Sequence, residues 1–192
     1  MREFQMEVMF NNFYKNEDGY KSKASGGHWA RFLQLKRDYQ CTCLCCNRPV
    51  VEVKYVYGGE NKRLGYVRDE WTCGDYCLEL YEEGNPMPLY RVNASCCQCG
   101  FHCHIPCGPC KQIIFDITNL QDHEARVGEV KKVWSGCAKE LFSNADDYSV
   151  LFPKAIPWKH KALFLACVLF VDYRYFEENN DRNQHRRGHA HF

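Results

Sequence analysis

RVGEVKKVWSGCAKELFSNADDYSVLFPKAIPWKHKALFLACVLFVDYRYFE, residues 126–177, is the stretch that decides the fold. It begins with a strand-like run that ends in Trp134, continues through a polar loop centred on Asp146, and finishes with an unbroken apolar run from Ala162 to Val171. An apolar run of this kind predicts a helix, and a helix that is apolar on every side must be buried on every side.

The predicted helix covers Trp158 to Phe176, and Pro157 suits its start. At 1.5 Å per residue it would be about 28 Å long, close to the thickness of a bilayer core. Its charge-free centre, Ala162 to Val171, is only ten residues long, which is more typical of a core helix than of a membrane span. We therefore predict a helix enclosed by a β-barrel, with membrane insertion as the alternative.

Upstream of this stretch the chain reads mainly as short β-strands. The run from Val50 to Tyr57 alternates, which puts Val51, Val53, Tyr55 and Tyr57 on one face. Short strands at even spacing, separated by polar turns, favour a barrel or a sandwich. The further strands predicted on this basis are residues 64–71, 77–81, 87–92, 111–118 and 126–134.

Bulk composition narrows the class of protein. The 192 residues suit one domain, or one domain with a tail. Lys and Arg total 25 against 24 Asp and Glu, a balance that gives no electrostatic reason to expect nucleic acid as a partner. No secretory signal is recognisable at the N-terminus. We therefore expect the 14 cysteines to face the cytosol as reduced thiols rather than to form a disulfide scaffold.

The order of residues in the deciding stretch resembles the phospholipid scramblase family. The matching pieces are Val127-Gly128 before Trp134-Ser135-Gly136, Glu140 before Ala145-Asp146, Phe152-Pro153, Lys161-Ala162, and Asp172-Tyr173 before Tyr175-Phe176-Glu177. The resemblance implies a tubby-like fold, mainly β, in which a barrel is wrapped around a central C-terminal helix.

The resemblance extends back to Arg2-Glu3-Phe4, which is similar to the start of an internal strand of the family. It implies strands at residues 4–10 and 30–38, an enlarged loop at 11–29, a domain at 1–177 and a polar tail at 178–192. The first barrel strands of the family have no counterpart here. We therefore expect either a fragment or a divergent member with a partly open barrel.

The family resemblance also implies a function, namely ATP-independent, calcium-responsive movement of phospholipids in both directions between membrane leaflets. It implies membrane phospholipids as partners and the plasma membrane as the location, with most of the chain in the cytosol and a mitochondrial or nuclear pool as further options. One short apolar helix offers no polar path for a headgroup, and a homo-oligomer is one way to supply it. Nothing in the sequence predicts an enzyme, because no nucleophile, general base or phosphate-binding glycine loop is recognisable.

The first cysteine cluster is Cys41, Cys43, Cys45 and Cys46. From spacing alone, acylated thiols and unmodified thiols are equally good interpretations. The cluster resembles the palmitoylation stretch of scramblases, which favours acylation. Stable anchoring needs at least two attachment signals, because one acyl chain binds membranes only marginally. An acylated module that docks on a membrane and binds lipids or proteins without transport is therefore the alternative function.

The second cysteine cluster runs from Ser95 to Cys110, and Cys99, Cys103, Cys107 and Cys110 are its candidate zinc ligands. Thiolates at such spacing are able to hold a tetrahedral zinc ion. The competing interpretation, a loop of reduced thiols, is favoured because there is no pair of CxxC units at finger-like separation. A zinc-stabilised nuclear module is the third hypothesis for function.

The polar loop before the helix is the candidate calcium site that the resemblance implies. Its ligands would be side-chain oxygens of Asn144, Asp146 and Tyr148 and the backbone carbonyl of Val150. The twelfth loop position is Ala155 rather than an acid, so any calcium affinity is predicted to be weak, on the order of 10⁻⁴ to 10⁻³ M. A turn that leads into a strand is an equally good interpretation.

Overall fold

A curved antiparallel sheet around one helix forms the body of the protein. The computed structural model describes residues 4–10, 13–16, 19–22, 30–37, 49–57, 60–103, 108–122, 125–133 and 147–177. The strands are β1 (Phe4–Phe10), β2 (Phe13–Asn16), β3 (Gly19–Ser22), β4 (Ala30–Arg37), β5 (Val50–Tyr57), β6 (Glu60–Glu70), β7 (Asp75–Glu82), β8 (Tyr90–Ser95), β9 (Gln112–Asn119), β10 (Ala125–Val133) and β11 (Asp147–Leu151). The helices are α1 (Cys99–His102), a 3₁₀ turn (Gly108–Cys110), α2 (Trp158–Val171) and a π-helical turn (Asp172–Glu177).

Nine strands form the main sheet in the order β1-β4-β5-β6-β7-β8-β9-β10-β11, and each pairs with its neighbours in antiparallel fashion. Among the described strands, β1 and β11 have one neighbour each, so they are the two edges of an open half-barrel. Strands β2 and β3 form a separate hairpin, which lies within the segment predicted as an enlarged loop. The predicted fold, mainly β with one C-terminal helix, is confirmed.

Alternation along the strands builds the interior. Leu33 and Leu35 of β4 and Val51 and Val53 of β5 are fully buried, and Tyr55 packs at the margin of the same core. Successive side chains of a strand point to opposite faces, so the period-two pattern predicted for β5 identifies the inner face correctly. Equivalent positions on the later strands complete that face: Leu64, Val67, Leu78, Leu80, Val92, Ile113, Phe115, Ile117 and Val130.

Helix α2 fills the space that these side chains surround. It packs against β5, β6 and β7, and its buried side chains are Ala162, Leu163, Phe164, Ala166, Cys167, Val168, Phe170 and Val171. The prediction of a helix in the core of the barrel is therefore confirmed. Within the described ranges, no helix has both the length and the apolar content required to cross a bilayer.

Gly65 of β6 is required by a close approach between strands. A β-carbon on Gly65 of β6 would lie 1.9 Å from the carbonyl oxygen of Tyr81, which is far inside van der Waals contact. The β5–β6 pairing shifts register at the same place, between Val53 and Lys54. Gly65 thus permits both the register shift between β5 and β6 and the close approach of β6 to β7.

Every second connection between neighbouring strands leaves the sheet at the same end. Strands β4, β6, β8 and β10 end where β5, β7, β9 and β11 begin, because all of them are antiparallel neighbours. We call this end the rim. Helix α2 also ends there, since its π-helical turn contacts Asp69 near the end of β6 and Lys132 near the end of β10. The four connections that leave the rim are residues 38–49, 71–74, 96–111 and 134–146.

Candidate functional site

Asp172, the first residue of the π-helical turn, joins the end of α2 to two strands. Its Oδ1 lies 3.3 Å from Nζ of Lys132 on β10, and it accepts a 2.7 Å hydrogen bond from the hydroxyl of Tyr148 on β11. Lys132 is only 1% exposed, and its Nζ lies 3.7 Å from the centre of the Phe176 ring. A buried ammonium without a counter-charge costs several kcal/mol. Asp172 therefore stabilises Lys132 and ties the edge strand β11 to the helix.

A second ion pair lies at the rim inside the sheet. Asp69 is 1% exposed, and its Oδ2 accepts a 3.2 Å hydrogen bond from Nε of Arg174 while its Oδ1 accepts one of 3.4 Å from the hydroxyl of Tyr175. The buried guanidinium of Arg37 on β4 lies 5.1 Å from the centre of the Tyr173 ring. The rim end of the interior thus holds charges of both signs, whereas the middle is apolar. The sequence predicts that the helix continues to Phe176, but the regular α-helix ends at Val171. The polar contacts of the turn that follows account for this difference.

The opposite end of α2 carries a histidine with two polar neighbours. Nδ1 of His160 lies 3.2 Å from the hydroxyl of Tyr90, and Nε2 lies 3.6 Å from a carboxylate oxygen of Glu82. Burial, followed by the charge of Glu82, raises the pKa of the Tyr90 hydroxyl, so Tyr90 stays neutral beside His160. These contacts fix the first turn of α2 against β7 and β8.

Four large apolar side chains are exposed where β11 ends and on α2. They are Leu151 and Phe152, where β11 ends, and Trp158 and Leu165 of α2, and each is at least 37% exposed. We call these four residues the seam. Phe152 packs against the buried Phe164, with 6.1 Å between ring centres, so the seam is continuous with the core. A group of exposed large apolar side chains such as this is a candidate binding surface for a partner or a membrane.

The outer face of the sheet is, in contrast, charged. Glu79 of β7 is buried beneath Arg91, whose Nη2 and Nε lie 3.0 and 3.3 Å from Oε1, and Arg68, whose Nη2 lies 3.7 Å from Oε2. The hydroxyl of Tyr81 donates to Glu79 at 2.8 Å and accepts from Arg68 at 2.6 Å. Burial and then the bond to Glu79 raise the pKa of Tyr81. Glu79, Arg68 and Arg91 line a shallow groove of about 600 Å³.

Sequence reasoning missed the Glu79 cluster, although a signal for it exists. Polar residues recur at a spacing of two on three successive predicted strands, and Arg68, Glu79 and Arg91 face one another across β6, β7 and β8. Finding them required the strand register, because a slip of one residue moves each side chain to the other face.

Two predicted sites fall partly or wholly outside the described residues. The predicted acylation cysteines, Cys41, Cys43, Cys45 and Cys46, lie outside them, as do Asn144 and Asp146 of the predicted calcium loop. The other two candidate calcium ligands lie in β11, where the Tyr148 hydroxyl donates to Asp172 and Val150 pairs with Val130 of β10. The Tyr148 hydroxyl is thus already engaged within the fold. Calcium binding stays a prediction that rests on Asn144 and Asp146.

The predicted zinc ligands are described except for Cys107, which lies outside the described residues. Cys99 begins α1, Cys103 follows it, and Cys110 ends the 3₁₀ turn. In the part of the chain with described coordinates, no three His, Cys, Asp or Glu side chains lie close enough to hold a metal ion. The Cys99, Cys103 and Cys110 thiols alone therefore do not make a site, and zinc binding stays a prediction.

Comparison with known proteins gives one consistent family. A family model described as Scramblase matches residues 3–178. Human phospholipid scramblase 2 is 28% identical over 147 residues, which cover 76% of this chain and 45% of that protein. Human phospholipid scramblase 1 is 25% identical over 154 residues (79% and 44%), and mouse phospholipid scramblase 4 is 26% identical over 181 residues (91% and 51%). The chain thus spans about half the length of these relatives, and no solved structure matches it significantly.

Proposed function

The chain belongs to the scramblase family, and from that membership we propose that it moves phospholipids in both directions between the leaflets of a membrane, without ATP. The names of its relatives support this proposal. We further propose a transport role rather than an enzymatic one. The chain acts at a membrane, and we propose the cytosolic face of the plasma membrane as its location.

The seam is the surface that supports lipid contact. On α2, an exposed or half-buried stripe runs from Lys161 through Leu165 and Leu169 to Asp172, a spacing of three or four residues that keeps it on one side of the helix. The eleven residue steps from Lys161 to Asp172 rise about 17 Å. That length is close to half of a hydrocarbon core of about 30 Å. The stripe therefore presents an apolar middle with a charged group at each end, over roughly the depth of one leaflet.

The charged outer face limits how the chain meets the bilayer. Glu52, Arg63 and Glu83 form ion pairs there with partly exposed side chains, and such groups are costly to place in hydrocarbon. The half-barrel therefore keeps its outer face in water and touches lipid through the seam. The charged ends of the stripe contact headgroups and its apolar middle contacts acyl chains, which perturbs the packing of one leaflet and so lowers the barrier to crossing it. Two copies arranged through the bilayer would cover both leaflets, which is how a homo-oligomer enters the proposal.

Reconstitution of the purified chain tests this function. Vesicles that carry a labelled phospholipid are treated with a membrane-impermeant quencher, and transport exposes the inner label. Leu165→Asp puts a charge in the middle of the stripe, and we expect it to slow transport at least tenfold. The matched control is Arg63→Gln on the outer face, with no expected effect. Circular dichroism verifies that both variants fold. Transfer by the natural protein that is no faster than in empty vesicles, with and without calcium, would reject the proposal.

Calcium responsiveness is a further part of the proposal, carried by Asn144 and Asp146. A divalent cation at that loop would supply positive charge next to the start of β11. Isothermal titration of the natural chain and of Asp146→Asn with calcium provides the test. We expect a dissociation constant on the order of 10⁻⁴ to 10⁻³ M that is lost in the variant. Equal heats for both proteins would remove calcium from the account.

The second candidate function is a membrane-docked module that binds lipids or proteins without transport. The observation that favours it is the Glu79 cluster with its adjacent groove, since a charged groove on the outer face is available to a soluble partner. Acylation at Cys41, Cys43, Cys45 and Cys46 would hold the module at the membrane. Vesicle flotation measures membrane binding, and the reconstitution assay measures lipid transfer. Binding without transfer identifies this function. Loss of membrane association when all four cysteines are replaced by serine identifies the anchor.

A further inference from the structure

The segment that leads from β11 into α2 and through that helix carries charge of one sign. Residues 148–171 contain no Asp or Glu, and their basic residues are Lys154, Lys159, His160 and Lys161. The whole chain, in contrast, is nearly neutral, with a formal net charge of +1. The excess of positive charge in this segment is therefore a local property of the fold.

The fold places these lysines at the end of the half-barrel that lies opposite the rim. Strand β11 ends there and α2 begins there. The side chains of Lys154 and Lys161 are exposed, and that of Lys159 is half-buried. The three ammonium groups therefore reach the surface within one short stretch of chain.

A fourth lysine joins them from β6. Lys62 is exposed and pairs with Tyr55 of β5, and residues directly opposite each other in an antiparallel pair lie on the same face of the sheet. Tyr55 in turn contacts Trp158, with 5.3 Å between ring centres. Lys62 therefore lies on the side of the sheet that faces the start of α2. We call Lys62, Lys154, Lys159 and Lys161 the basic end.

The described part of the chain does not neutralise the basic end. None of its four lysines forms an ion pair with another described residue. Two acids at the same end of the fold have other partners. Glu82 lies 3.6 Å from Nε2 of His160, and Glu83 lies 3.0 Å from Nε of Arg63. The charge of the basic end is therefore available to an anionic partner.

Large apolar side chains are exposed at the same end. Trp158 is 51% exposed, and the ring of Tyr55, which it contacts, packs edge-on against Phe32 with 5.6 Å between centres. The indole is thus supported by packed rings while part of its surface stays accessible. Leu151 and Phe152 of the seam are exposed where β11 ends. The basic end therefore combines positive charge with apolar surface.

We propose that the basic end, together with Trp158, is a docking site for a membrane surface rich in anionic phospholipid. Lysines are attracted to the negative potential of such a surface, and tryptophan favours the interface between headgroups and acyl chains. An acidic protein would also attract the lysines. The exposed indole and the seam favour the membrane, because they offer apolar surface that inserts between lipids.

This inference rests on the proposed action at a membrane and adds the class of lipid and the part of the fold that meets it. Lys161 is both a member of the basic end and the positively charged end of the stripe on α2. The docking site is therefore continuous with the surface proposed to contact acyl chains. Anionic headgroups at the basic end would bring the stripe into contact with the same leaflet.

The test is flotation of the purified, unacylated chain with two kinds of vesicle, phosphatidylcholine alone and phosphatidylcholine with about 30% phosphatidylserine. One lysine near an anionic surface strengthens binding about fivefold. The triple variant Lys154→Gln, Lys159→Gln and Lys161→Gln should therefore bind the anionic vesicles about a hundredfold more weakly than the natural chain. Binding of the natural chain should weaken as salt rises from about 0.1 M to about 1 M, because the Debye length becomes shorter.

The matched control removes the same charge from other surfaces, with Lys54→Gln, Lys111→Gln and Lys131→Gln. We expect it to lose less than about threefold in binding, and circular dichroism verifies that both triple variants fold. Equal losses in the two variants would show a general effect of net charge and overturn the proposal. So would equal binding of the natural chain to neutral and anionic vesicles, a result that needs no variant.

Two further measurements separate the alternatives. Binding to soluble polyglutamate that depends on the same lysines, without a preference for anionic vesicles, assigns the basic end to an acidic protein and overturns the proposal. Lipid transfer is measured separately in the reconstitution assay. A preference for anionic vesicles in a chain that transfers no lipid supports the docking site and rejects the proposed transport. Transfer without any such preference supports transport and rejects the docking site.

Discussion

Replacing Asp172 by asparagine removes the counter-charge of a buried lysine while it keeps the shape of the side chain. The amide oxygen of the introduced side chain is still able to accept the hydrogen bond from Tyr148, so the main loss is the attraction between Asp172 and Lys132. That pair is 3.3 Å apart, which corresponds to about 5 kcal/mol at an effective dielectric constant of about 20. The ring of Phe176, 3.7 Å from Nζ of Lys132, still offsets about 2 kcal/mol.

We therefore expect Asp172→Asn to lower the free energy of unfolding by about 3 kcal/mol, at the lower end of the range for broken buried pairs. For a domain of this size the melting temperature should fall by about 6 to 12 °C. Urea unfolding followed by circular dichroism measures the first quantity, and calorimetry measures the second. Tyr148→Phe removes one hydrogen bond and should cost only about 1 kcal/mol.

The decisive variant replaces both partners, Asp172→Asn with Lys132→Met. Because a buried pair replaced by neutral groups of similar size is often tolerated, the double variant should regain most of the loss. The reasoning is refuted if Asp172→Asn unfolds within about 1 kcal/mol of the natural protein, or if the double variant is no more stable than the single one.

Three further predictions concern other parts of the fold. Phe164→Ala should cost about 3 to 5 kcal/mol in urea unfolding, because it leaves a cavity in the fully buried centre of α2. Gly65→Ala should destabilise the protein at least as much, since the new methyl group meets the Tyr81 carbonyl. Hydrogen exchange measures this effect, because the backbone amides of β6 and β7 should no longer exchange slowly. The hydrogen bond from Lys131 lowers the pKa of Glu129, despite some opposing burial. The resulting stabilisation is present above about pH 4.5, the ordinary pKa of this carboxyl, and is lost as the pH falls. The difference in free energy of unfolding between the natural protein and Glu129→Gln should therefore disappear in acid.

Each of these predictions has a matched control. Leu165→Ala, next to Phe164 but exposed, should cost less than about 1 kcal/mol; equal losses at both positions would contradict the burial of α2. Gly84→Ala meets no atom within 4 Å, and it should cost only the backbone strain of its positive φ, about 1 kcal/mol. A gap between Glu129→Gln and the natural protein that stays constant from about pH 7 to about pH 3 would show that the Lys131 contact does not act through charge.

The repeating parts of this fold were predictable because they depend on short-range pattern. The β5 boundaries predicted from alternation, residues 50–57, match the structure, and the first turn of α2 begins at Trp158 as expected. Strand β8 begins three residues later than predicted, at Tyr90 rather than Met87. The reason is local, because Asn85 accepts a hydrogen bond from the Met87 N–H and extends the turn.

The parts that could not be predicted depend on contacts between residues far apart in the chain. Lys132 reads as a solvated strand residue in the sequence, yet it is buried, and its partner Asp172 lies 40 residues later in the π-helical turn that follows α2. Helix α1 is only four residues long, too short for a periodic signal. It is held by two hydrogen bonds between the Gln98 side chain and the Ile114 backbone and by packing of Phe101 against Tyr76 and Phe115. The Glu79 cluster likewise required the register of three strands.

The position of α2 at the end of the described fold has a consequence for biosynthesis. Strand β4 leaves the ribosome about 120 residues before α2, which corresponds to about 6 to 24 seconds at typical rates of translation. During that interval the apolar inner surface has nothing to cover it, although neighbouring hairpins are able to pair as they emerge. Newly made chains should therefore depend on chaperones until translation passes Val171, and a ribosome stalled before Trp158 should yield an aggregation-prone intermediate.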